Sequence, residues 1–238
     1  MGITNEQKQV MLSGILGDGS LIKNGGGAMS FSCQHKEYME FKKELLGDLA
    51  TDVKEVNNNG YKKGTIYTLR CKANDYGKLL FKYSYTDIMR EIDDLGIAMW
   101  LADDGSRHKT ANFYNINTHA IDRNIEETVL IPYLNRLNIF PKVLTETKKD
   151  GRVFSYLYIS KWQGAMELSK MLRGLNLSCY DYKIIPFELE ESYFKLKDNE
   201  DFINGSTQKR TNLIKKDLNI SFGDNYFKSI TSVDMKKV

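Results

Sequence analysis

Apolar residues recur at helical spacing in two segments that end in the same way. Residues 11–19 and 97–105 are each an apolar run with small residues one turn apart, and each stops abruptly at an Asp-Gly pair. A helix that breaks at glycine leaves the preceding aspartate at its C-terminal end. The pattern therefore predicts two helices that close on Asp18 and Asp104, the second acid 86 residues after the first.

After each of these helices the pattern of polar and apolar positions is repeated in one order. Period-two alternation predicts strands, and spacings of three and four predict helices. The first half places these elements at residues 20–23, 29–34, 36–49, 53–56, 65–70 and 74–83, and the second half at 112–117, 125–137, 143–146, 154–159 and 162–172. The chain is therefore predicted to be an α+β fold of two pseudo-symmetric αββαββα halves, residues 1–86 and 87–186, followed by an extension at 187–238 of undetermined role.

Small residues form a stripe on each apolar helix. Ser13 and Gly17 are four residues apart, as are Ala98 and Ala102, so one face of each helix carries almost no side chain. Such stripes allow two helix backbones to approach closely. We expect the two helices to pack as a pair, with the glycines after the acids in left-handed backbone geometry.

The two aspartates are placed where a carboxylate is disfavoured. The C-terminal end of a helix carries partial negative charge, which costs a nearby acid about 0.3–1 kcal/mol. A divalent cation bound by the carboxylates of Asp18 and Asp104, and by the backbone carbonyls of Gly17 and Asp103, would compensate that cost. The side chain of Asp103 is a weaker ligand candidate, because it points about 100° away from that of Asp104 on a helix.

The segments Met11-Leu12-Ser13-Gly14-Ile15-Leu16-Gly17-Asp18-Gly19 and Ile97-Ala98-Met99-Trp100-Leu101-Ala102-Asp103-Asp104-Gly105 resemble the paired motifs of the single-chain LAGLIDADG homing endonucleases. The second copy is the closer match. The resemblance implies antiparallel saddle-shaped sheets joined through a central helix pair, and a monomer that cuts both strands of a specific double-stranded DNA site. It also implies two or more Mg²⁺ ions held by Asp18 and Asp104, and an origin within an intron.

A catalytic lysine is implied in the second half by the same resemblance. Tyr182-Lys183-Ile184-Ile185-Pro186 is similar to the Lys-apolar-Pro segment of the family, whose lysine reaches the solvent around the metals. The first half has no such segment. Its candidates are Lys82 and, less favoured, Lys78.

The polar face of each predicted sheet has the functional groups that read DNA bases, since a twisted β-ribbon fits the major groove. Lysines at strand ends and turns would meet phosphates. The candidate DNA-binding residues are Lys23, Ser30, Ser32, Gln34, Lys62, Thr68, Arg70, Arg107, His108, Asn115, Asn117, Lys142, Glu146, Arg152 and Ser155. Each of these positions, taken alone, is more simply an ordinary solvated position on a sheet, so the evidence for DNA binding is the pattern over both sheets.

Composition adds little to this interpretation. The net charge is +3, from 34 basic and 31 acidic residues, which is mild for a nucleic-acid-binding protein. Three separated cysteines favour neither a zinc site nor a disulfide framework. With no signal peptide and no apolar run of membrane length, we expect a soluble protein of the cytoplasm of a bacterial or phage host, or of an organelle.

A second function fits the same fold. An RNA maturase that assists intron splicing, or a nuclease that has lost its activity, would keep the binding surface without cleavage. The retention of both acids and Lys183 favours an active nuclease. A preference for intron RNA over the uninterrupted DNA site would identify a maturase.

Overall fold

The computed structural model describes residues 2–58, 64–108 and 113–223. The chain divides into two compact units, Met1–Gly105 with Met171–Asp181, and Ser106–Lys170 with Tyr182–Val238. The sequence-based boundaries after residues 86 and 186 follow the internal repeat instead, and they remain a prediction.

The helices and strands of the first unit follow one another from the N-terminus: α1 (Asn5–Leu16), β1 (Gly19–Leu21), β2 (Met29–Cys33), α2 (Lys36–Leu46), β3 (Lys54–Asn58), β4 (Gly64–Cys71), α3 (Asp75–Leu80), α4 (Tyr85–Glu91) and α5 (Asp94–Asp104). The four strands form one antiparallel sheet in the order β1-β2-β4-β3. A single 3-10 turn, Gly47–Leu49, follows α2.

Period-two alternation gives the first sheet one buried face. The buried side chains are those of Met29 and Phe31 on β2 and of Leu69 and Cys71 on β4. Ser30 and Arg70, which lie between them and are in register with each other, are not buried. Helix α2 packs against β2 and β4, and it also contacts α1. The core of the first unit therefore lies between this sheet and its helices, which leaves the other sheet face uncovered by them.

The rest of the chain contains a second sheet and the C-terminal helices: β5 (Gly105–Arg107), β6 (Tyr114–Asn117), α6 (Arg123–Ile125), α7 (Ile131–Arg136), β7 (Lys142–Thr147), β8 (Val153–Ile159), α8 (Trp162–Gly174), α9 (Phe187–Leu196), α10 (Glu200–Ile203) and α11 (Thr207–Phe222). The strand order β5-β6-β8-β7 is the same as in the first sheet. This repeated topology, with helices, confirms the predicted α+β fold class.

Several elements differ from those that the pattern predicted. Helix α4 was not predicted, although Ser84 and Asp87 form a capping box at its start. The predicted helix 125–137 contains a π-helical turn, Glu126–Leu130, between α6 and α7. Residues 187–223 form three helices, and Leu189, Ile214 and Leu218 bury their side chains completely. None of the helices in the described ranges is long and apolar enough to cross a membrane.

The glycines after the two acids correct the predicted backbone geometry. Gly105 is extended, with φ −85° and ψ 151°, and Gly19 also lacks a positive φ. Both positions are crowded instead. A Cβ on Gly105 would lie 2.1 Å from Leu101 Cδ1, and a Cβ on Gly19 would lie 2.6 Å from Met29 Cε. Close approach, rather than left-handed geometry, is the reason that these positions need glycine.

Candidate active site

Helices α1 and α5 pack against each other within the first unit, as the small-residue stripes predicted. Gln9 of α1 is fully buried and contacts the start of α5. Its Oε1 accepts a hydrogen bond from Asp93 N at 2.9 Å, and its Nε2 donates to Glu91 O at 2.9 Å. A Cβ on Gly96 would lie 2.5 Å from Gln9 Oε1, so the helices approach closely at this end.

The other end of the helix pair is equally tight. A Cβ on Gly17 would lie 2.8 Å from Asp103 Cβ and 2.9 Å from Asp103 Oδ2. The other members of the two stripes, Ser13, Ala98 and Ala102, are 0–2 % exposed. The residues that precede the two acids therefore touch, which brings the ends of the two motifs together.

The acids themselves are accessible. Asp104 is the last residue of α5 and is half-buried, whereas Asp18 lies two residues beyond α1 and is exposed. Both are near the negative ends of their helices, where a nearby cation is stabilising. Their roles as metal ligands remain a prediction.

Asp103 is engaged elsewhere. Its carboxylate receives hydrogen bonds from Lys42 Nζ at 3.1 and 3.0 Å, and the two side chains are 1 % and 0 % exposed. Burial, followed by the negative charge of Asp103, holds the pKa of nearby Tyr38 well above its ordinary value. The side chain of Asp103 is thus occupied by Lys42. The backbone carbonyls of Asp103 and Gly17 remain predicted metal ligands.

The donor set suits a hard divalent cation that takes most of its ligands from water and substrate. In the part of the chain that the structure describes, no group of three or more His, Cys, Asp or Glu side chains could hold a metal. Mg²⁺ typically uses one or two protein carboxylates together with waters and phosphates. Two accessible carboxylates at helix ends fit such an ion, whereas a preformed cage of protein ligands is not present in the described ranges.

Cys33 lies close enough to the acids to sense their charge. Burial is the main cause that raises the pKa of its thiol to about 11; the His35 backbone hydrogen bond and the charge of Lys42 oppose the rise, and the charges of Asp103 and Asp18 add to it. The Sγ atom lies 3.2 Å from both the backbone nitrogen and the carbonyl oxygen of His35. Cys33 is therefore a chemical reporter next to the candidate site.

The predicted lysines are in different settings. Lys183 is 4 % exposed and belongs to the second unit, where its carbonyl accepts a hydrogen bond from Tyr114 Oη at 2.5 Å. Lys82 is exposed in the turn after α3, and Lys78 pairs with Asp75 at 2.8 Å. The assignments of Lys183 and Lys82 remain predictions.

The sequence profile of the LAGLIDADG DNA endonuclease family matches residues 8–166, which is more than half of the chain and includes both motif helices. The chain belongs to this family. No curated protein sequence matches it significantly.

A solved homing endonuclease structure shares the fold of this chain. The homing endonuclease I-WcaI bound to its DNA recognition sequence is 18% identical with a TM-score of 0.56, over 82% of this chain and 88% of that one. A mesophilic variant of the homing endonuclease I-DmoI is 15% identical with a TM-score of 0.48, over 71% and 96%. Full-length DUF199/WhiA from Thermatoga maritima is 13% identical with a TM-score of 0.47, over 99% and 93%.

In this LAGLIDADG chain the outer face of the first sheet carries a row of hydrogen-bonding side chains. Ser30 is in register with Arg70, and Ser32 is in register with Thr68, which in turn pairs with Lys54. Arg70 and Ser32 are exposed. Gln34 follows directly after β2 and is also exposed. The structure thus places these predicted DNA-binding residues together on one uncovered face.

The outer face of the second sheet is aromatic as well as polar, which sequence reasoning missed. Asn115 is in register with Tyr158, and Asn117 with Tyr156. Phe113 stacks on His108 with centroids 4.4 Å apart and meets the edge of Tyr158 at 4.8 Å. The signal was available, because the tyrosines alternate with the buried Leu157 and Ile159 along β8.

Two predicted DNA-binding residues point elsewhere. Ser155 shares the inner face with Leu157, one step out of phase with the tyrosines, and its hydroxyl donates to Thr118 O at 3.3 Å. Arg107 is 7 % exposed, and its Nε donates to Tyr182 O at 3.2 Å. Ser155 is half-buried and Arg107 is buried, and their assignments as DNA contacts remain predictions.

The remaining predicted contacts lie at strand ends and turns. Lys23 and Lys142 are exposed. Glu146 pairs with Lys148 at 2.7 Å, and Arg152 binds Asp150 at 2.7 Å in the β7–β8 turn. Exposed pairs of this kind are weak and can exchange partners. Lys62 lies outside the described residues.

Proposed function

We propose that the chain is a site-specific double-stranded DNA endonuclease that acts as a single polypeptide and is encoded within an intron. The observation that carries the proposal is the α1–α5 pair, in which Gly17 and Asp103 touch and the next residue of each motif is an accessible aspartate. Membership of the LAGLIDADG DNA endonuclease family supports the same function.

The chemistry proposed for this site is hydrolysis of one phosphodiester in each strand. Asp18 and Asp104 would hold divalent ions, Mg²⁺ in the cell, and such ions activate water and stabilise the leaving 3′ oxygen. The contribution of the chain is to hold the two carboxylates at fixed positions beside the bound duplex. Lys183 is proposed as the lysine that serves the second half of the site, and Lys82 remains the candidate for the first.

The two sheet faces are proposed to read the two halves of an asymmetric target. Ser30, Thr68 and Arg70 offer hydrogen-bond donors and acceptors, and an arginine can bond both acceptors of a guanine edge. Tyr156 and Tyr158 instead offer apolar surface, which suits thymine methyl groups, and Asn117, in register with Tyr156, offers an amide that suits adenine edges. We therefore expect different base preferences in the two half-sites.

Selection for cleavage from a randomised duplex library tests this function for any target sequence. The purified protein should release cut ends in Mg²⁺ and none in EDTA. Asp104→Asn should abolish release while leaving binding to the selected duplex intact, because the fold and the sheet faces are unchanged. Asp75→Asn, which alters an exposed acid on α3, is the matched control and should cut normally.

Three results would contradict the proposal. Normal cutting by Asp104→Asn would exclude the site, and recovery of a palindromic target would exclude unequal reading faces. Tight binding of intron RNA, with no cleavage of any duplex, would indicate the maturase instead.

A further inference from the structure

A buried ion pair links α2 to the end of the second motif. Lys42 Nζ lies 3.1 and 3.0 Å from the two carboxylate oxygens of Asp103, a residue 61 positions away. Neither side chain is more than 1 % exposed. Both residues belong to the first compact unit.

Aromatic rings and a glycine surround this pair. Lys42 Nζ lies 4.2 Å from the ring centroid of Tyr38 and 5.1 Å from that of Phe31. The hydroxyl of Tyr38 donates to Met99 O, one turn before Asp103, at 3.1 Å. Gly17 has no side chain and so leaves room for Asp103, because a Cβ on Gly17 would lie 2.9 Å from Asp103 Oδ2. The carboxylate of Asp103 is thus held on several sides.

Stability alone is a poor explanation for such a pair. Removing two charges from water is costly, and an apolar pair of similar volume is often as stable or more so. Removing one partner, in contrast, leaves an uncompensated buried charge. A buried pair that fixes one geometry is therefore a candidate for a role in what that geometry controls.

The ion pair keeps the carboxylate of Asp103 buried at the end of the helix pair, where the neighbouring Asp18 and Asp104 are accessible. Asp103 is next to Asp104 in sequence and packs against Gly17, which is next to Asp18. The carboxylate of Asp103 points away from that of Asp104 while Lys42 holds it, but once released it would add an oxygen donor for a divalent ion in this region. Lys42 cannot itself touch DNA, since its side chain is fully buried.

We propose that Lys42 is a positioning residue that keeps Asp103 out of the metal site, so that two carboxylates rather than three face the divalent ions. The inference rests on the proposed function for its link to cleavage. Its link to metal binding stands separately, since ion binding is measurable without cleavage.

The test compares Lys42→Met with the double variant Lys42→Met/Asp103→Asn. Mn²⁺ affinity is measured without DNA from the loss of the electron paramagnetic resonance signal of the free ion, and kcat and KM are measured on the selected duplex. Lys42→Met should bind Mn²⁺ several-fold more tightly and lose about 100-fold in kcat with little change in KM, as expected for misplaced catalytic groups. The double variant should recover wild-type Mn²⁺ affinity and most of kcat.

The controls separate positioning from simple support of the fold. Lys43→Met removes the next lysine of α2, which is exposed and paired with Asp52, and should change neither readout. If Lys42→Met does not fold, Lys42→Leu replaces it, because leucine also removes both the charge and the hydrogen-bond donor that hold Asp103. A folded Lys42 variant with wild-type Mn²⁺ affinity and kcat overturns the proposal.

Failure of the proposed function would look different. If the wild-type protein binds Mn²⁺ but cuts no duplex, and Lys42→Met still binds the ion more tightly, the endonuclease function is wrong and the positioning role stands. If the wild-type protein cuts DNA while the Lys42 variants behave like it, the function stands and the positioning role is wrong.

Discussion

Gly17→Ala tests the contact between the two motif ends with the smallest possible change. The new methyl carbon would lie 2.8 Å from Asp103 Cβ, about 0.6 Å closer than the 3.4 Å at which ordinary contact begins. Asp103 cannot yield easily, because Lys42 binds both of its oxygens. The helix pair must therefore move apart by a few tenths of an ångström, which displaces the residues next to Asp18 and Asp104.

Two magnitudes follow from that displacement. Overpacking of this kind costs about 1–3 kcal/mol, and each kcal/mol lowers Tm by about 2–4 °C in a domain of this size. We expect Tm to fall by about 2–12 °C. Cleavage should fall by at least about tenfold at a temperature where the protein is fully folded, because a misplacement of about 1 Å can cost 100-fold.

The assay pairs thermal unfolding with single-turnover cleavage of the selected duplex. Gly174→Ala at the end of α8 is the matched control, because a Cβ there would meet no atom within 4 Å. It should leave Tm and cleavage close to wild type. A Gly17→Ala protein with wild-type Tm and cleavage rate would refute the reasoning, since it would show that the motif ends do not constrain each other.

Two further predictions concern the reading face and the thiol beside the site. Arg70→Ala should relax the base preference at one target position by about 1–3 kcal/mol, measured in a cleavage-site profile. Lys23→Ala should instead lower the affinity for all DNA sequences alike and reduce the slope of log affinity against log salt concentration by about one. Identical cleavage-site profiles for Arg70→Ala and the wild type would contradict this assignment. Because burial raises the pKa of Cys33 to about 11, its alkylation at pH 8–9, followed by peptide mass spectrometry, should be much slower in the native protein than in urea. Equal alkylation rates in the native protein and in urea would contradict the burial of Cys33. The thiol loses its proton near pH 9 in the unfolded chain and only near pH 11 in the native protein, so its contribution to the free energy of unfolding falls as pH rises from 9 to 11.

The hydrophobic pattern was sufficient to predict those helices and strands that have one clearly apolar face. The two apolar helices and the strands around Phe31 and Leu157 follow from spacing alone, and the structure confirms them. Ser155 was chosen by polarity rather than by its phase along β8, where it lies on the same face as Leu157.

Other features depend on contacts that no local pattern contains. The buried face of α2 includes Lys42, and the partner that neutralises it, Asp103, lies 61 residues away in the sequence, so no local pattern reveals the pair. The sequence around Gly105 does not show whether glycine is needed there for left-handed backbone geometry or for close approach of a neighbour. The position of Leu101 in the structure shows that close approach is the reason.

The first compact unit includes α5, and this has a consequence for the construction of hybrid enzymes. A recombination point after residue 86 follows the sequence repeat, but it would replace α5 while keeping α1 and α2. The incoming helix would then bring its own side chain to the place between Gly17 and Lys42. If that side chain is not acidic, Lys42 is left buried without its counter-ion. A crossover after Gly105 would keep Gly17, Lys42 and Asp103 together in one parent sequence. Hybrid enzymes that exchange halves should therefore be joined at that point.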